Sequence, residues 1–167
     1  MTEEVIVGRI RIWLSLFVVG LVLSGLTAFP LERETGFLVR CLEATGLSAW
    51  WPALGAWAVR VHHGLSETDS SYPFIAYGTD WLAFAHLVIA VAFWGPLRDP
   101  VRNAWVVDFG MTACVAIIPF VLVCGWVRGI PWFWQCIDMS FGVVGLVPLW
   151  CARRAIGVLT SSRACSP

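Results

Sequence analysis

His86 and Asp138 lie inside segments that are otherwise apolar enough to dissolve in lipid. A charged side chain at the centre of a bilayer costs about 3 kcal/mol or more unless it is paired, neutralised or hydrated. These two residues, with Asp108, are therefore the ones whose types invite chemistry. An imidazole exchanges a proton near neutral pH, and a carboxylate beside it sets its tautomer and charge, which together make an acid, a base or a ligand. The same two groups can instead form a buried hydrogen bond that fixes helix register, a common use of polar residues between membrane helices.

Counted at 100° per residue, Thr79, Ala83, His86 and Ala90 share one helix face, and Asp138, Gly142, Gly145 and Leu149 share another. Small residues around an ionisable group let a neighbouring helix approach closely. His86 follows Thr79 by seven residues and Asp138 follows Pro131 by seven, each about 10 Å along its helix. The two side chains are expected at similar depth, meeting directly or through water. Tyr77, Asp80, Trp81 and Trp134 fall near the same helix ends, so they are expected at the mouth of a pocket whose polar floor is His86 and Asp138. Asp80 also has a simpler account, because it stands about 120° around the helix from His86 and in a first turn, where the helix dipole favours an acid.

Three further constellations can carry chemistry. In HHGLSETD, His63 and Glu67 are four apart, the spacing of a helical metal pair, with His62 adjacent. Gly64 between them weakens a helix, and solvated polar residues at a helix end are the plainer reading. A haem would need two axial ligands from opposing helices; only His86 lies in an apolar span, so His62 or His63 would have to fold over it. The cysteines at 41, 114, 124, 136, 151 and 165 show no C-x-x-C and no zinc-like spacing. Cys124 and Cys136 flank a short connection, where a disulfide or two apolar thiols would both fit. Asp108 lies about one turn inside Trp105, within reach of Arg102 or Arg153, and an ion pair is its expected role.

The elements that must position these residues follow from composition. Of 167 residues 59% are hydrophobic and 13% charged, against roughly 25% charged in a soluble domain, and the apolar residues come in blocks. Crossing hydrocarbon takes roughly 20 apolar residues, and four segments qualify, at about 10–29, 79–96, 100–126 and 131–151. The first is expected to remain uncleaved, because no A-x-A-like site follows it. The fold class expected is an all-α integral membrane protein, one domain over 1–167, with four transmembrane helices in a bundle. Thr79 is the expected N-cap of the second span, Asp99-Pro100 the start of the third, and Arg153-Arg154 the end of the fourth. Outer loop 31–78 carries amphipathic stretches at 36–45 and 52–65, expected as interfacial helices or as a small loop domain packed on itself.

Arginine placement sets the orientation. Arg9 and Arg11, Arg98 and Arg102, and Arg153, Arg154 and Arg163 flank one side of the spans, and such residues are retained in the cytoplasm. Both termini are expected there. Trp13, Trp94, Trp105 and Trp150 fall near the inner ends, and Trp81, Trp126, Trp132 and Trp134 near the outer ends, as interfacial rings should. The eleven basic and eleven acidic residues cancel and no basic run exists, which excludes a nucleic-acid partner in favour of the lipid bilayer.

The expected function is that of a small bacterial inner-membrane protein with an outward-facing pocket inside the bundle, binding a small apolar or lipid-like molecule through His86 and Asp138. An accessory subunit packed against partner membrane subunits of a larger complex is the alternative, and a haem-binding redox protein a third.

Overall fold

The computed structural model describes residues 2–164; Cys165 lies outside them. The described chain is all-helical, with no strand: α1 (Glu3–Ala28), α2 (Leu31–Ala44), α3 (Leu47–Trp50), α4 (Pro52–Ser71), a 3-10 turn at Pro73–Ile75, α5 (Tyr77–Ala92), α6 (Trp94–Arg98), α7 (Ala104–Arg128) and α8 (Trp132–Ala164). Four stretches are long and apolar enough to cross a membrane: α1, Pro73–Arg98, α7 and α8. Protein buries no more than 28% of the apolar window of any of them. In α1 and α7 the apolar residues lie all round the helix, which suits a helix surrounded by lipid rather than one with a single core-facing stripe.

The chain divides into two compact units. The first combines the described residues through Gly20 with those from Ile89 onward. Its core takes Ile6, Ile10 and Leu14 from α1, Phe93 between α5 and α6, Val106, Val107 and Cys114 from α7, and Leu149, Ala152, Ile156 and Leu159 from α8. Three- and four-residue spacings put the α1 set and the α8 set each on one helix face, and Val107 and Cys114, seven apart, share a face of α7. α7 and α8 are packed by small residues. A methyl group on Gly142 would meet the Cys114 carbonyl oxygen at 2.5 Å, and one on Gly110 would meet the Phe93 ring at 2.8 Å. Gly129 makes the turn between these helices with φ of 64°, a conformation that costs glycine nothing.

Arginines gather at one end of this unit. Arg11 Nε donates to the Leu97 carbonyl oxygen at 3.2 Å, and Arg153 Nε donates to Asp108 Oδ1 at 2.6 Å. Arg163 Nη2 pairs with Glu3 Oε1 at 2.5 Å. Arg98 and Arg154 lie over the rings of Trp94 and Trp150, 5.6 and 5.9 Å from the centroids. Guanidinium groups over indoles are suited to an interface where one side is wet and the other apolar. The ion pair expected for Asp108 is present, with Arg153 as its partner.

Several boundaries differ from expectation. The third span begins at Ala104 rather than at Pro100, because residues 99–103 form a turn. There the Arg102 N–H donates to Asp99 Oδ1 at 3.2 Å, and the Asn103 amide donates to the carbonyl oxygens of Asp99 and Gly95. α8 does not end at Arg153-Arg154 but runs to Ala164. Arginines end a membrane span without ending a helix, and Ile156 and Leu159 continue its buried face. The second span breaks between α5 and α6, since Pro96 offers no N–H to the Ala92 carbonyl one turn earlier.

The second unit is Leu21–Val88. Within it α2 and α4 pack on one another, α2 beginning directly after Pro30 and α4 running on to Ser71, both longer than expected. Leu42, Leu54 and Ala58 are buried there, and Phe37 is 63% exposed. Gly55 lies against Ser48 of α3, where a methyl group would come within 2.9 Å of the serine Cβ. Cys124 and Cys136 are free thiols.

Candidate functional site

α1 stops at Ala28, and Phe29 and Pro30 turn the chain into α2, whose first turn carries Glu32 and Glu34. Acidic groups there meet the positive end of the helix dipole. On the return path α4 ends at Ser71, the 3-10 turn follows, and α5 begins at Tyr77. Thr79 does not cap α5, as the sequence suggested. It lies inside the first turn, and its hydroxyl donates to the Ala76 carbonyl oxygen at 2.6 Å.

Between these segments, entirely within the second unit, lies an open cleft of about 410 Å³. Phe29, Leu31, Leu65 and Ile75 give it apolar lining, and Thr68 and Thr79 add hydroxyls. Charge enters from two helices, Glu32 and Arg33 on α2 and Asp69 on α4. Volumes of roughly 300–1,000 Å³ with an apolar lining and a few polar groups are typical of small-molecule sites. The cleft stands where one apolar span ends and the next begins, the level at which aromatic side chains gather in membrane proteins. Phe29, Phe74, Tyr77 and Trp81 are all exposed there.

Beside the cleft, the ring of His62 lies flat on α2. A methyl group on Gly36 would stand 2.9 Å from His62 Cε1. His62 Nδ1 is 3.3 Å from Thr35 Oγ1 and 3.9 Å from Glu32 Oε1. The single hydroxyl proton of Thr35 serves the carbonyl oxygens of Leu31 and Glu32, at 3.0 and 2.9 Å. With that proton on a carbonyl, the hydroxyl oxygen can accept from a protonated His62 Nδ1. His63 and Glu67 approach at 3.8 Å on the exposed side of α4, and the helix continues through Gly64 rather than ending near it. Among the described residues no group of three or more His, Cys, Asp or Glu side chains is arranged to hold a metal.

The residues expected at the pocket are distributed as follows. His86, half-buried on α5, donates from Nδ1 to the Leu82 carbonyl oxygen one turn back at 2.8 Å. Its small-residue face meets α1, where a methyl group on Gly25 would come within 2.9 Å of His86 Cβ and 3.1 Å of the Ala83 carbonyl oxygen. Tyr77, Trp81 and Phe84 form an exposed edge-to-face ladder along α5, with centroids 6.0 Å apart at each step. Asp80 is half-buried on the same helix. Asp138 and Trp134 are half-buried on α8, in the first unit. The cleft in the second unit is lined by none of these six.

Sequence reasoning had singled out His62 for a metal and passed over Glu32, Arg33, Thr35 and Gly36. The signal was Pro30 directly after the first span. A helix starting there puts Glu32, Thr35 and Gly36 on one face at three- and four-residue spacing. No protein-family model, curated protein or solved structure matches this chain, so its function is argued from the arrangement of its own residues.

Proposed function

We propose that this is a multi-pass protein of the inner membrane, both termini cytoplasmic and its four spans bundled, that binds an amphipathic, lipid-like molecule at the outer end of those spans. The observation that carries this reading is the open cleft in Leu21–Val88, lined by both apolar and charged side chains. An amphiphile presents both kinds of surface, and burying apolar surface yields about 25 cal/mol per Å². The arginine flanks support the orientation. His86 is the proposed polar contact deeper in the second span, as the ionisable residue within its apolar length.

The test is purification in mild detergent followed by native mass spectrometry and lipid extraction. A defined amphiphile retained by the wild-type protein and lost from Ala76→Trp, which fills the cleft, is the expected result. A protein that carries no amphiphile and copurifies instead with a stoichiometric foreign subunit would replace this reading with the accessory role. Protection of a C-terminal tag from external protease in intact cells tests the orientation.

A further inference from the structure

The charges on the cleft wall are of both signs and come from different helices. Arg33 and Asp69 are exposed, and among the described residues neither is engaged in an ion pair. Among the described residues the ion-pair neighbour of the Glu32 carboxylate is the His62 ring, at 3.9 Å. One guanidinium and two carboxylates thus face a single cleft without neutralising one another. A purely anionic head would meet Arg33 but also two like charges, and a purely cationic head would meet the reverse conflict at Arg33. A head that carries both signs satisfies all three groups.

Resting on the cleft reading above, we propose that its occupant is a zwitterionic amphiphile whose head joins a phosphate to a primary ammonium. The phosphate meets Arg33, whose fork of N–H donors matches two phosphate oxygens. The ammonium meets Glu32 and Asp69. A primary ammonium brings three N–H donors to two carboxylates, whereas a trimethylated head has the charge without the donors. Phosphoethanolamine heads are therefore favoured over phosphocholine and over phosphoglycerol. The acyl chains leave along the apolar side, past Phe29 and Ile75, toward the lipid-facing surfaces of α1 and α5.

The experiment uses the full-length protein in detergent with equimolar phosphatidylethanolamine, phosphatidylcholine and phosphatidylglycerol of matched chains, bound lipid being read by native mass spectrometry. The wild-type protein should retain the ethanolamine lipid about fivefold over each of the others, the ratio that about one kcal/mol of charge interaction gives. Arg33→Ala should lower retention of all three lipids, since each carries the phosphate. Glu32→Gln with Asp69→Asn should erase the ethanolamine preference while total lipid bound is kept. Equal retention of all three lipids by the wild type, or a preference untouched by these surface substitutions, overturns the head-group assignment. In that case loss of lipid from Ala76→Trp would still uphold the cleft, whereas no retained lipid from any class overturns both.

Discussion

The ring of His62 on α4 rests on Gly36 of α2, with room for a hydrogen there and none for a methyl group, which would stand 2.9 Å from Cε1. The close approach of the ring holds two helices at a separation only glycine permits, and it brings His62 Nδ1 within 3.3 Å of the Thr35 hydroxyl.

Gly36→Ala should therefore loosen α2 from α4, at a cost of about 1–3 kcal/mol for overpacking. Gly64→Ala, two residues past His62 on the same helix, is the opposite case. Nothing lies within 4 Å of a methyl group there, and replacing an exposed helical glycine gains about 0.5–1 kcal/mol. Hydrogen exchange over α2 and α4 should accelerate in the first variant and slow in the second. Equal behaviour of the two would show that the ring contact does not set the spacing.

A similar contrast separates two glycines of α8. A methyl group on Gly142 would strike the Cys114 carbonyl oxygen at 2.5 Å, and one on Gly145 would reach the Cys114 sulfur at 3.1 Å. Backbone cannot give way as a side chain can. Gly142→Ala and Gly145→Ala should each lower the thermal midpoint in detergent. Adding Cys114→Ala should restore the Gly145 variant and leave the Gly142 variant unchanged. Rescue of both would mean that the helices slide apart freely at this crossing.

The Asp108 to Arg153 bond, 2.6 Å long between side chains 50% and 40% exposed, bears on stability only modestly. Solvent screening holds such pairs to about 1 kcal/mol or less. Asp108→Asn and Arg153→Gln should each cost no more than that in chemical unfolding, and the exchanged pair, Asp108→Arg with Arg153→Asp, should recover most of the loss. A much larger loss from Asp108→Asn alone would show that this carboxylate makes a contact beyond Arg153.

How far the sequence carried the structure can be judged from α5. Its apolar length placed the span, and the 100° count placed Ala83 and His86 on a face built for close approach. That count cannot say which helix approaches. Gly25 of α1 takes the position, and nothing in the spacing of α5 points to it, because contact between distant segments depends on shape summed over both. The loop shows the same limit. Its amphipathic stretches were legible, yet Gly64 and the histidine pair suggested a helix end where α4 continues, since tertiary packing of Leu54 and Ala58 outweighs one glycine's propensity. The cleft was illegible for a related reason: Glu32, Arg33 and Asp69 are ordinary surface charges until α2 and α4 fold beside each other.

His86 is the residue on which the deeper part of the proposed function turns. Its Nδ1 proton is committed to the Leu82 carbonyl oxygen at 2.8 Å, which leaves Nε2 to accept a hydrogen bond when neutral or to donate one when charged. A His86→Leu variant removes that nitrogen and, purified in mild detergent, should retain less bound amphiphile than the wild type by native mass spectrometry. Should the His86→Leu protein keep its full complement, the ligand's contacts would be confined to the cleft between α2, α4 and the start of α5.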